Sequence, residues 1–152
     1  MNGASAGGAF LPVALLMFAA GVGIPVMATL NAGLGQQLHN PVAATAILFG
    51  GGLMLALAIL IVVGAPPASR FAAVPAGFYF GAVFVVFYIL SITWAAPRMG
   101  LGNAIFFVLL GQIVAAVAID HFGLWSALRS EITGRRIAGV LLMAVGVYLA
   151  RR

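Results

Sequence analysis

The sequence predicts an all-α integral membrane protein of five transmembrane helices per chain, and three observations lead there. Only 6% of its 152 residues are charged and 64% are hydrophobic, against about 25% charged in a soluble domain. The apolar residues fall in continuous runs of roughly 20, the length that crosses a bilayer as a helix. The charges lie almost entirely between those runs: seven arginines, no lysine, Asp120 and Glu131. β-barrel strands would instead alternate apolar and polar residues over segments of about ten. Five such helices with short connections fill the chain, so residues 1–152 are expected to form a single transmembrane domain with no extramembrane domain.

The first helix is expected at about 10–34. Met1 to Gly8 carries no Lys or Arg, so it lacks the basic n-region of a signal peptide and the first run should stay in place. Gly35 to Pro41 ends it, and Pro41 suits the first turn of the second helix, 42–63. Gly64-Ala65-Pro66-Pro67 separates that run from the third, 71–95, which Pro97-Arg98-Met99-Gly100 closes. The fourth helix is expected at 101–120 and ends at His121-Phe122-Gly123. The fifth, at 133–150, borrows its first turn from a polar stretch whose arginines can snorkel to the interface.

Small residues inside these runs permit close approach between helices in lipid. Gly77 and Gly81 in the third helix, and Gly139 and Gly146 in the fifth, are the candidate packing faces; in a chain with 20 glycines such spacings also arise by chance.

An odd number of spans puts the termini on opposite sides. The N-terminal side holds Arg70, Arg129, Arg135 and Arg136, and the other holds Arg98, Arg151 and Arg152. Orientation normally follows a clear Lys/Arg excess on the cytoplasmic side. Four against three is nearly balanced, so the chain is expected to insert both ways and to pair as an antiparallel, inverted homodimer of ten helices. The plainer alternative is one weakly biased orientation with the N-terminal side inside. The net charge of +5 reads as helix-end anchoring rather than nucleic-acid binding, leaving the lipid bilayer, a second copy and a small-molecule substrate as partners.

Polar side chains at membrane depth are the candidates for function. Gln112 lies midway along the fourth helix, and its amide needs partners that hydrocarbon does not offer. Ala116 and Asp120 follow at four-residue intervals on the same face. The stripe Gln112-Ala116-Asp120 either lines a polar path toward the N-terminal side or is structural, with Gln112 bridging helices and Asp120 pairing with Arg129 or Arg135. Gly23 and Pro25 mark a kink or hinge in the first helix, where proline frees a backbone carbonyl, although spanning helices also tolerate proline. Asn31 lies further along that helix, toward the opposite side from Asp120. In an inverted dimer, Asn31 of one copy and Asp120 of the other share a side. Tyr88 is deep in the third helix and needs a hydroxyl partner, while Trp94 suits the interfacial belt.

No enzyme signature appears: paired carboxylates, a nucleophile with a base, a phosphate loop and metal-ligand spacing are all missing. Cysteine is absent, and His39 and His121 lie in loops on opposite sides. No cofactor or metal is expected.

The order of several segments resembles the YdcZ family, the five-helix members of the drug/metabolite transporter superfamily. The resemblance rests on Leu30-Asn31-Ala32, Asn40-Pro41, Phe49-Gly50-Gly51 and Ala96-Pro97-Arg98-Met99-Gly100. It continues through Gly111-Gln112, Asp120-His121-Phe122-Gly123-Leu124 and the glycine-bearing run Arg136 to Val147, which is also similar to the last helix of small multidrug transporters. It implies an inner-membrane exporter that acts as a dual-topology homodimer, or a ten-helix relative made of two fused halves. Small multidrug transporters carry a membrane glutamate in helix one for proton exchange; this chain has none there. Alternating-access transport of a small neutral or weakly polar molecule is therefore the expectation. A passive pore, or a membrane subunit without transport of its own, is the alternative.

Overall fold

The computed structural model describes residues 4–150, with side chains from 10 to 149; Arg151 and Arg152, counted above, lie outside the described residues. The elements are α1 (Ala4–Gln37), α2 (Pro41–Val63), α3 (Ala68–Ala73), a 3₁₀ turn (Ala76–Phe80), α4 (Gly81–Met99), α5 (Leu101–Phe122), a second 3₁₀ turn (Leu124–Ser126) and α6 (Gly134–Ala150). Among the described residues, four spans are long and apolar enough to cross a membrane: Phe10–Gln37, Pro41–Val63, Ala76–Met99 and Leu101–Phe122. Their surfaces are those of a lipid-facing protein, with Ile61 and Val62 more than four-fifths exposed. The helix expected at 133–150 is the 17-residue α6. At 1.5 Å per residue it is about 26 Å long, short of the roughly 30 Å hydrocarbon core.

The local chemistry sets the boundaries. Asn40 caps α2: its Oδ1 accepts from the backbone N–H groups of Val42 and Ala43, both at 3.0 Å, and Pro41 takes the first helical position. Gly100, at φ 86°, ends α4 and begins α5 in a conformation that side chains rarely adopt. Gly123 closes α5 in the left-handed region.

The third helix expected at 71–95 is not continuous. Val74, ahead of Pro75, is pushed to an extended φ/ψ of −80°/128°, as the proline ring requires of the residue before it. The short α3 therefore ends there, and the long helix starts only after the 3₁₀ turn. The Tyr79 hydroxyl donates to the Phe71 carbonyl at 2.9 Å across the break. At its other end, Pro97 lies inside α4 rather than ending it, and the helix runs on to Met99.

The core is small and lies where α1, α4 and α5 meet, with α2 packed against α1 and α4. Ala28, Ala32, Ile92, Ala96 and Ala104 form its centre, and Tyr88, Leu101 and Ile105 pack around it. Among the described glycines, Gly35 stands tightest against neighbouring helices. A Cβ there would meet Thr93 Cγ2 at 3.1 Å and the Pro41 Cα at 3.3 Å, so three helices converge on that missing side chain. At Gly77, Gly81, Gly139 and Gly146 an added Cβ would meet nothing within 4 Å. The close packing inside the described chain is thus at Gly35, and those four faces remain uncovered.

Candidate functional site

Two small-residue stripes create a polar cluster inside the apolar core. On α1, Ala28, Asn31, Ala32 and Gly35 recur at i, i+3, i+4 and i+7 and share one face; all four are buried. On α4, Ile89, Thr93 and Ala96 do the same. Where the stripes meet, Asn31 (4% exposed) donates from Nδ2 to Thr93 Oγ1 (3% exposed) at 2.7 Å. The bond is short and shielded, so it locks α1 to α4 over 62 positions of sequence.

That bond leaves hydrogen-bonding capacity unused. Asn31 Oδ1 and the Tyr88 hydroxyl are buried and have no partner. Such atoms cost about 1–3 kcal/mol each when left unpaired, and lipid supplies no water to repair the loss. Thr45, also buried, is satisfied: its hydroxyl donates to the Pro41 carbonyl at 2.9 Å. Beside Asn31, a groove of about 270 Å³ between α1 and α2 is lined by Met27, Leu30, Leu34, Ile47 and Leu48. The site is thus an apolar groove with a buried amide on its wall.

The other expected residues lie elsewhere. Pro25 stands within α1, which runs unbroken past it, and the Thr29 hydroxyl donates to the Pro25 carbonyl at 2.8 Å. Gly23 is exposed on the same helix. Gln112 and Ala116 are exposed on α5, away from the Asn31 cluster, and Ala116 borders a groove whose far wall holds Arg136 and Gly139 of α6. Asp120 pairs with Arg136, Nη2 to Oδ2 2.6 Å, and not with Arg129 or Arg135. The reason is the path of the loop. The Ser130 N–H donates to the Asp120 carbonyl at 2.9 Å and folds the segment back, which brings the first turn of α6 over the carboxylate. Gly77 and Gly81 floor an aromatic hollow of about 350 Å³ walled by Phe78, Phe80, Phe84 and Trp125. Trp94 stacks under the Arg98 guanidinium, 4.2 Å from the ring centre, an interfacial arrangement.

Thr93 and Gly35 were not singled out by sequence reasoning. Their signal was the i, i+3, i+4, i+7 recurrence of small residues around Asn31, which the loop-like look of Gly35-Gln36-Gln37 obscured.

Long apolar helices with exposed greasy faces, enclosing a few buried polar side chains, define a multi-pass integral membrane protein. Over residues 12–149 the chain matches the family described as "Putative inner membrane exporter, YdcZ", and it belongs to that family. It is accordingly a multi-pass protein of the inner membrane, in a family described as exporters. No curated protein and no solved structure matches it.

Proposed function

We propose that this chain exports a small neutral or weakly polar molecule by alternating access, as an inverted homodimer in which each copy contributes five helices. The observation that carries this reading is Asn31: a buried amide, half satisfied by Thr93 and half unpartnered, beside an apolar groove. Retaining an unpaired polar atom in a membrane core is costly, and a polar group kept at that cost beside a groove is suited to contact a substrate. Tyr88, with its free hydroxyl behind the same core, is the second contributor.

The nearly even arginine distribution supports the inverted pairing. Inversion brings Asn31 of one copy to the side of Asp120 of the other, so both mouths carry the same residues. Asp120 already holds Arg136 as its counter-charge. It therefore serves at the mouth as part of an ion pair, and α6 completes the fifth span by thinning the bilayer locally or by snorkelling its arginines. Pro25 and Gly23 supply the joint in α1.

The test begins with a thermal-shift screen of small metabolites and cationic drugs on detergent-solubilised protein. The stabilising compound, radiolabelled, is then followed into liposomes. Saturable uptake that falls at least tenfold in Asn31→Leu supports the carrier. Fast, unsaturated flux would make the protein a pore, and no flux with any stabilising compound would leave it a membrane subunit.

A further inference from the structure

The mid-point of α5 presents a strong hydrogen-bonding side chain, the Gln112 amide, outward near the centre of the membrane. The helix has 22 residues, Leu101–Phe122, and Gly111-Gln112 is its middle. At 1.5 Å per residue it is about 33 Å long and just spans the hydrocarbon, which puts Gln112 at mid-plane. Other faces of α5 meet the same chain: Ala104 is buried in the core, and Ile113, Ala116 and Val117 border the groove against α6. Gln112, Gly111, Ala115 and Ala116 are exposed, and Gln112 has no hydrogen-bond partner among the described residues.

We propose that Gln112 pairs with Gln112 of a second, inverted copy, making an α5–α5 contact the centre of the dimer. The proposal rests on the inverted dimer above and adds its contact residue. A two-fold axis lying in the membrane plane maps only mid-plane positions onto themselves, so a mid-depth residue on the axis must meet its own copy. A side-chain amide is suited to that meeting. It carries both donor and acceptor, and two of them related by a two-fold exchange a pair of N–H···O=C bonds. A lipid tail has nothing to offer the amide. The flanking residues allow the approach: Gly111 has no side chain, a Cβ there would meet nothing within 4 Å, and Ala115 is small.

The chain has no cysteine, so introduced thiols report only on themselves. Gln112→Cys should form an oxidised dimer in membranes. The decisive pair leaves Gln112 intact. Leu109→Cys and Ala115→Cys are co-expressed on differently tagged chains, three residues either side of the axis, both at exposed positions. In the inverted pairing 109 faces 115, whereas 109 is displaced from its own copy by about 9 Å along the helix. The expected result is a mixed 109–115 cross-link with little 109–109 or 115–115. Homotypic cross-links without the mixed one would mean copies running the same way, and would overturn the proposal. No cross-link at any of the three positions would overturn it as well, while orientation reporters, read separately, decide whether the inverted dimer itself stands. Gln112→Leu is expected to raise the dimer dissociation constant in bilayers by about 3- to 15-fold, the effect of two modest intramembrane hydrogen bonds; an unchanged constant would count against the pairing.

Discussion

Replacing Thr93 by valine removes one hydroxyl and keeps the side chain's shape, so its effect isolates the bond that ties α1 to α4. In the native chain the Asn31 amide donates to Thr93 Oγ1 at 2.7 Å while its Oδ1 is unpartnered. Thr93→Val leaves the entire amide without a partner in a site 4% exposed. An orphaned polar group in a protein interior costs about 1–3 kcal/mol. Intramembrane hydrogen bonds measured by double-mutant cycles average about 0.6 and reach about 1.7, because the unfolded chain in the membrane also finds partners. Asn31 already lacks one partner and lies among Ala28, Ala32 and Ile92, which offer no replacement. The upper part of the membrane range therefore applies, about 1–1.7 kcal/mol, or roughly 5- to 18-fold in the unfolding equilibrium. Asn31→Leu removes the amide and its desolvation together, and adding Thr93→Val to it should cost little more. The assay is reversible unfolding in mixed detergent–SDS micelles, followed by circular dichroism for the wild type, both single variants and the double. The coupling term should exceed about 0.5 kcal/mol. Additive losses, with coupling near zero, would mean that the bond contributes nothing and that the argument from Asn31 has lost its footing.

Other expectations follow from separate contacts. Gly35→Ala places a Cβ 3.1 Å from Thr93 Cγ2 and 3.3 Å from the Pro41 Cα; overpacking of this kind costs about 1–3 kcal/mol, and Gly35→Leu should prevent stable folding by the same micelle assay. Asp120→Asn and Arg136→Gln should each cost less than about 1 kcal/mol, because both side chains are about one-third exposed; the double variant should be no worse than either alone. Uptake driven by a pH gradient should persist in Asp120→Asn, and its loss in a folded variant would make Asp120 a proton carrier. Arg98→Ser should bias orientation so that the N-terminal side faces the cytoplasm, and Arg70→Ser with Arg129→Ser should bias it the other way. C-terminal reporter fusions read both shifts.

Four of the five expected spans were legible because lipid imposes one demand, an apolar surface of fixed length, and their continuous runs meet it directly. Asn40-Pro41 was readable for the same reason: a cap and a first-turn proline are local chemistry. The break at Val74-Pro75 was missed because the surrounding residues are as apolar as those of a helix, and hydropathy does not register a backbone conformation. Asn31 and Tyr88 stood out as polar residues at depth, yet which helix each would meet depends on crossing geometry that no single run encodes. Thr93 escaped attention because a lone threonine in a spanning helix usually bonds its own backbone. Its role follows from Gly35, whose missing side chain lets α1 come close enough for Asn31 to reach it. Gln112 was recognised from sequence as an amide needing cover, and the fold adds that no helix among the described residues of the same chain provides that cover.

The most direct test of the whole account is the orientation of the unmodified chain in the inner membrane. Two C-terminal fusions, one reporter active only in the cytoplasm and one only outside it, should give comparable signals from the same sequence at the same expression level. Signal from one reporter alone would fix every copy in a single orientation, and the inverted homodimer with its paired mouths would have to be abandoned.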